Sequence, residues 1–369
     1  MDTERSTVVD PGPPISIGRL VLMLTTYAQQ IAFLMQHDIL PRTGLCHKCK
    51  MPIEGDCKEG KTNEWFWKCR VCKVTTSIRY GTVLYKSKMK LQNWILLAYC
   101  FIERNRTYAQ TSNEASLPME GYEDRTLSPS TINRWFRFFR SLCRKDFKRM
   151  RVKIGGVGKI LEGDESLFGK LKYGRGYGKH RRRAWVFGMV ERETGRLFVY
   201  VCPKDSEGKY KRTRKALIPM ILANVLPGTT LFTDGWRAYR RLNELGYTHR
   251  WVNHDVNFVD KEDRSLHTNR IEGLWGQIKR WLPQSGSYCL EEYLELYQWF
   301  QMQKRNGVNP FWRLLQLIAE HNEYEEVNAA QYDEEHDVVG GPDDAFLAED
   351  DEDIEEEEYF SDEEEHYWW

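Results

Sequence analysis

Three acidic stations have the residue types and spacing of a divalent-metal site. They are Glu162-Gly163-Asp164-Glu165-Ser166, Thr233-Asp234-Gly235-Trp236 and His267-Thr268-Asn269-Arg270-Ile271-Glu272-Gly273-Leu274-Trp275. Asp164 and Asp234 sit in or at the end of apolar runs, where a β-strand would hold them rigidly, and Glu272 lies in a segment of helical period. Carboxylates at strand ends with one on a helix suit phosphoryl transfer. Hard cations such as Mg²⁺ take oxygen ligands and keep positions open for phosphate and water. With a period of two, Ile160, Glu162, Asp164 and Ser166 share one strand face, and Thr230, Phe232 and Asp234 share another. On the helix, Ile271, Leu274, Trp275 and Ile278 form an apolar stripe; Glu272 flanks it and Asn269 lies one turn earlier. A single Asp before Gly is usually a turn former. Three acids separated by 69 and then 37 residues point together to an enzyme that cuts nucleic acid.

A second constellation is Cys46-x-x-Cys49 followed, nineteen residues on, by Cys69-x-x-Cys72. Two knuckles that each present two thiolates close a tetrahedron around a structural Zn²⁺. His47 and Cys57 read as bystanders. Paired cysteines without a secretory signal suit a reducing compartment, and no run reaches the roughly 18 apolar residues of a spanning helix.

These residues need elements to hold them. Residues 16–39 predict one amphipathic helix, and 42–85 predict short strands around the cysteines. Helices follow over Leu91 to Glu103 and Thr107 to Ser116. Ser128-Pro129 then starts a third, with Ile132, Trp135, Phe136 and Phe139 on one face and Asn133, Arg134, Arg137 and Arg140 elsewhere. That outline is a helix-turn-helix-like module, with Arg134 and Arg137 as candidate DNA contacts. Strands are expected over Lys159–Phe168, Ala184–Glu191 and Arg196–Cys202, then a helix over Arg214–Val225 and a strand over Thr229–Thr233. A short helix (Trp236–Leu245), a strand (Thr248–Asn253) and a helix over 268–282 complete the order. A meander followed by alternating helix and strand suits an α/β RNase H-like domain, a mixed sheet flanked by helices. The expected domains are 1–41, an N-terminal segment with the amphipathic helix; 42–86, the zinc ribbon; 87–150, the helical module; 151–322, the catalytic domain; and 323–369, a disordered acidic tail.

Formal charge is zero, with 54 basic and 54 acidic residues, but it is unevenly spread. From Glu323 onward there are 22 acids and no Lys or Arg, which leaves residues 1–322 with a net charge of +22. A basic body suits a polyanion, whose neutralised phosphates release counterions. Lys179, Arg181, Arg182 and Arg183 lie between the first two strands, and Lys211 and Arg212 precede the next helix. Both runs are candidate phosphate contacts or nuclear-import signals.

The stretch from about Gly44 to Asn306 resembles the Merlin-type DDE transposases and their bacterial insertion-sequence relatives. The shared features are the cysteine ribbon, Ser77-Ile78-Arg79-Tyr80-Gly81-Thr82 with Trp94, Gly163-Asp164-Glu165, Lys179-His180-Arg181-Arg182-Arg183, Thr233-Asp234-Gly235 and the motif from His267 to Trp275. The resemblance implies an RNase H-like catalytic domain, two Mg²⁺ or Mn²⁺ ions and cut-and-paste DNA transposition. It implies Asp164, Asp234 and Glu272 as catalytic metal ligands, with Asn269 the alternative third ligand. Double-stranded DNA, both transposon ends and target, would be the partner of a nuclear protein that forms homo-oligomers when synapsed on DNA, with no membrane role. The rival reading is a host-adopted, catalytically silent DNA-binding or scaffold protein built on the same chain.

The acidic tail is expected to compete with DNA for the basic body, since a tether keeps it at high effective concentration. Removing it should tighten non-specific DNA binding and steepen its salt dependence. Affinity measured against salt for the full and truncated chains checks this; superimposable curves would show that the tail does not shield the surface.

Overall fold

The computed structural model describes residues 15–53, 57–59, 65–104, 106–116, 126–169, 184–252, 266–283 and 288–332, with side chains up to 322. The expected helix over 16–39 is two helices, α1 (Ile17–Met23) and α2 (Tyr27–Gln36), bent by 113°. Thr26 causes the break. Its hydroxyl accepts from the Gln29 amide while the Gln29 side chain accepts from the Thr26 amide, so a new helix starts there. Together the bent pair is apolar and long enough for a span, although no single described helix is. Leu20, Leu24, Ile31 and Leu34 are buried in the protein core instead.

The cysteine segment forms a hairpin of β1 (Gly44–Leu45) and β2 (Pro52–Ile53), then the antiparallel set β3 (Lys58–Glu59), β4 (Trp65–Lys68) and β5 (Thr75–Ser77). Next come α3 (Leu91–Glu103), α4 (Tyr108–Ala115) and α5 (Pro129–Met150). Ser128 caps α5 as expected, accepting from the Thr131 amide at 3.2 Å. Ile132 and Phe139 are buried, and Arg134 and Arg137 are exposed. Arg140 departs from the expectation. It is buried and donates to Glu292 Oε2 at 3.1 Å and to the Tyr293 hydroxyl at 3.0 Å, because a later helix covers that side of α5.

The remaining strands are β6 (Ile154–Gly155), β7 (Ile160–Phe168), β8 (Ala184–Glu191), β9 (Leu197–Val201), β10 (Val225–Leu226), β11 (Thr230–Asp234) and β12 (Thr248–Val252). Helix α6 (Arg214–Asn224) precedes β10, and α7 (Asn269–Trp281), α8 (Leu290–Arg305) and α9 (Pro310–Tyr332) follow β12. The sheet runs β12-β11-β7-β8-β9; β7, β8 and β9 form the meander, and β11 and β12 are parallel to β7. It is the expected mixed sheet. One face packs Leu161, Phe187, Met189 and Phe198 on α6 and Tyr239. The other packs Val186, Val190 and Val199 on Ile271, Leu274, Trp275 and Ile278 of α7 and Leu294 of α8. The short helix expected over Trp236–Leu245 is two 3₁₀ turns, Arg237–Tyr239 and Leu242–Leu245, ended by Gly246 at φ +84°.

The N-terminal modules do not pack by themselves. One core runs from Leu20 through Trp67, Trp94 and Phe139 to Trp299, Phe311 and Ile318, so α8 and α9 close over the ribbon and α3. The described residues up to Asn322 fall in one compact unit, which contains the positions 86 and 150 at which boundaries are expected. Asp146 of α5 ties this return. It is buried and accepts from Trp299 Nε1 at 2.9 Å and from Arg313 Nη2 at 2.5 Å, a pairing that holds its carboxyl below the usual range despite the burial. The helical backbone of α9 continues to Tyr332, past the Glu323 at which the sequence predicts disorder. A truncation that leaves α9 whole therefore falls after Tyr332; residues 333–369 lie outside the described residues.

Candidate metal centres

β11 pairs with β7 only as far as Phe232 opposite Glu162. Beyond that point β11 keeps to β12 and β7 keeps to β8, so the carboxyl ends of two parallel strands open into a crevice. Asp164 and Asp234 stand on its two lips. Their carboxylates and that of Glu165 offer oxygens within 4.8 Å of one another. Each acid is held by a different donor. Trp275 Nε1 donates to Asp164 Oδ2 at 2.8 Å, the Trp236 amide donates to Asp234 Oδ1 at 3.0 Å, and the Tyr239 hydroxyl donates to Glu165. Burial pushes the Asp164 carboxyl up to about 7, and the charges of Asp234 and Glu272 act in the same direction. Burial likewise lifts Glu165 to about 8 against the pull of its Tyr239 bond. Clustered carboxylates whose ionised forms are disfavoured by burial and by one another fit a divalent cation, which reverses both penalties.

Glu272 is exposed in the first turn of α7, with Oε1 accepting from Thr268 at 2.9 Å. It stands outside the three-acid group, although its charge reaches Asp164. Asn269 faces a different place, a cavity of about 420 Å³ lined with Glu162, Arg192, His267 and Arg270. Of the two candidate third ligands, Glu272 is the one whose charge acts on Asp164, while Asn269 lines the separate cavity. Glu165, Tyr239 and Trp275 were not singled out from sequence. Strand alternation assigns Glu165 to the face opposite Asp164, and Trp275 counts only as part of an apolar stripe. The aromatic donors leave no spacing signal.

Among the basic candidates, Arg212 lies over the rings of Trp185 at 4.3 Å and Trp236 at 4.7 Å, and its charge acts on Glu165. Lys211 is engaged by Asp205, Nζ to Oδ2 2.8 Å. Arg134 and Arg137 stand on the exposed face of α5. Lys179, Arg181, Arg182 and Arg183 lie outside the described residues.

The four cysteines meet as their spacing predicts. Sγ separations are 3.4 Å for Cys46 and Cys72, 3.6 Å for Cys49 and Cys69, and 3.7 Å for Cys72 and Cys49. A tetrahedron with metal–sulfur bonds of about 2.3 Å has edges of about 3.8 Å, so the cluster could hold zinc. All four are free thiols; backbone amides draw Cys46 and Cys69 down, while their hydrogen-bonded neighbours Cys49 and Cys72 are pushed up, as expected of four thiols packed together. His47 is a bystander, its Nδ1 bonded to Thr76 Oγ1 at 3.0 Å, and Cys57 is outside the cluster.

Two measurements follow. Asp164 and Glu165 titrate near 3.8 and 4.5 when unperturbed and at about 7 and 8 in the fold, so across that window the unfolded chain loses its protons first. Stability of the Mg²⁺-free protein should therefore fall as pH rises from about 4 to about 8, by at most about 1.4 kcal/mol per pH unit for each group. Added Mg²⁺ or Mn²⁺ should restore it, most strongly at the high end. Thermal melts against pH with and without Mg²⁺ decide this, and a melting curve indifferent to both would remove the acid cluster as a metal site. Metal analysis should also return one zinc per chain, with Cys69→Ser losing it and the core shared with α3 and α9 melting lower; zinc-free wild-type protein would refute the cysteine site.

Residues 157–299 match the family described as the ISXO2-like transposase domain, a span that includes Asp164, Glu165, Asp234 and Glu272 and leaves out the four clustered cysteines. The chain is 25% identical over 264 residues to an uncharacterized protein in transposable element ISH50 of Halobacterium salinarum, covering 68% of this chain and 82% of that protein. It is 31% identical over 81 residues to an uncharacterized transposase-like protein of Haemophilus influenzae, covering 22% of this chain and 63% of that one. A chain of a simian T-cell lymphotropic virus intasome structure shares 13% identity at a TM-score of 0.27, over 40% of this chain and 50% of that one, too slight a likeness to bear on the fold. The segment that holds the acid cluster is thus similar to a transposase domain.

Proposed function

We propose that this protein is a DNA transposase that cleaves phosphodiesters at element ends and joins the freed ends to target DNA. The observation that carries this reading is the cluster of Asp164, Glu165 and Asp234 at parting strand ends, inside the segment similar to a transposase domain. In this reading Asp164, Asp234 and Glu272 hold two Mg²⁺ or Mn²⁺ ions, with Glu165 beside them. The bound pair would activate water and then a freed 3′-hydroxyl for in-line attack, and would neutralise charge on the phosphate. The protein's own groups fix the acids. Trp275 holds Asp164 through Oδ2, Tyr239 holds Glu165, and the Trp236 amide turns Asp234. Arg212, which lies over the rings of Trp185 and Trp236 and whose charge acts on Glu165, would meet a backbone phosphate in this reading. Arg134 and Arg137 on α5 would grip the duplex, and Cys46, Cys49, Cys69 and Cys72 would hold zinc in the ribbon.

The sheet order, a meander continued by two parallel strands, supports an RNase H-like domain, and the motifs support the Merlin-type branch within the wider insertion-sequence group. Nuclear action on transposon ends and target, by protomers brought together on DNA, completes the reading.

Asp234→Asn should abolish strand cleavage, a loss of at least about a thousandfold, while leaving DNA binding in place. Ca²⁺ should support binding with little cutting, because its looser coordination suits in-line geometry poorly. The measurement is cleavage and strand transfer on DNA that carries the element's inverted repeats. Full cutting by Asp234→Asn would overturn the site assignment. Tight binding without cutting by the wild-type protein would favour the silent scaffold.

A further inference from the structure

Glu162 precedes Asp164 by two residues on the same face of β7, is fully buried, and has no part in the reaction just proposed. A carboxylate taken wholly out of water is costly unless it is paired and hydrogen-bonded. Glu162 is both. Oε1 accepts from Arg192 Nε at 2.6 Å, and Oε2 accepts from the backbone amides of Arg270 at 2.7 Å and Ile271 at 3.2 Å.

Those two amides belong to the first turn of α7, where helical N–H groups lack partners within the helix. The helix does not cap itself, since Thr268 makes no side-chain cap bond and its hydroxyl donates to Glu272 instead. The sheet supplies the missing cap, with a negative charge at the positive end of the helix dipole. Arg192 completes the clamp. Its Nη2 donates to the His267 carbonyl at 2.6 Å and contacts His267 Nδ1 at 3.0 Å, and its guanidinium covers the Phe232 ring at 4.7 Å. The start of α7 is thus fixed to β7 and to the residue after β8.

α7 also carries the two side chains that act on Asp164: Glu272 through its charge, and Trp275 through the bond to Oδ2. We propose that Glu162 is a positioning residue for the metal site: by capping α7 from the sheet, it sets the register of Glu272 and Trp275 against Asp164. This rests on the metal-site reading above. A helix moves as a rigid rod, so a slip of about 1 Å at its first turn reaches both residues, and a metal constellation tolerates only about 0.5 Å.

Glu162→Gln keeps the size but turns an amide N–H₂ toward donors, either Arg192 or the two backbone amides. The test is Mn²⁺ binding by titration calorimetry on the zinc-loaded full chain, together with hydrogen exchange along α7. Wild type and Asp234→Asn run beside it. Wild type should bind and Asp234→Asn should lose binding. Glu162→Gln, held well below its Tm, should bind at least about tenfold more weakly, with protection lost at Arg270 and Ile271. Arg192→Lys keeps a positive charge near Glu162 but cannot bridge to His267; it should weaken Mn²⁺ binding less, and it carries the test if Glu162→Gln does not fold. Wild-type Mn²⁺ affinity in a folded variant of either kind overturns the positioning role. Wild-type protein that binds no Mn²⁺ overturns the metal-site reading, and this proposal with it.

Discussion

Burial of clustered carboxylates, with their repulsion added to it, sets the terms for this molecule. Asp164, Glu165 and Asp234 bring oxygens within 4.8 Å of one another, and Glu272 adds a fourth charge close enough to act on Asp164. Left to themselves, such groups would separate or stay protonated. Each is instead restrained by a donor from a different element: the α7 indole for Asp164, the 3₁₀-turn hydroxyl for Glu165, and the chain just past β11 for Asp234. Sheet, turn and helix must therefore all be in place before the acids converge. A cation that enters would release free energy the fold has already spent in assembling them.

Backbone shape is part of the same constraint. Gly188 on β8 lies directly opposite Asp164 in register. A Cβ there would come within 2.6 Å of Val199 and 2.8 Å of the Trp275 ring. The bare backbone is what lets the indole lie across β8 and reach the Asp164 carboxylate. Any side chain at 188 would lift α7 from the sheet and loosen the bond that orients the first acid.

What could be read in the sequence was what local periodicity controls. Cys46, Cys49, Cys69 and Cys72 follow from knuckle spacing, the strands around Asp164 and Asp234 from apolar runs, and α7 from its stripe. Glu165 was not legible, since alternation places it on the far face and only the divergence of β7 and β11 brings its carboxylate to the crevice. Arg140 looked solvent-facing because nothing local announces that α8 will return with Glu292. The break after α1 was written in the chain, as Thr26 and Gln29 form a capping box, but the continuous apolar pattern outweighed it. The core that joins the ribbon to α8 and α9 depends on contacts far apart in sequence, such as the Asn322 side chain that accepts from the Val83 amide 239 residues away and donates to the Ile39 carbonyl 283 residues away.

Helix α8 links the two halves of this arrangement. Leu296, Trp299 and Met302 face the N-terminal core, while Leu294 and Tyr297 face the sheet. Gln298 satisfies the outer edge of β9, accepting from the Val199 amide at 3.0 Å and donating to its carbonyl at 2.9 Å. On another side, Glu292 and Glu295 bind Arg140, Arg144 and Lys148 of α5 at 2.6 to 3.1 Å. The helix that presents Arg134 and Arg137 is therefore not tethered by a flexible linker but bonded to an element that is itself bonded to the five-stranded sheet. On the transposase reading, a duplex gripped by α5 would meet the acids at a fixed distance. The choice of which phosphodiester is cut would then rest on the stiffness of α8 as much as on base contacts.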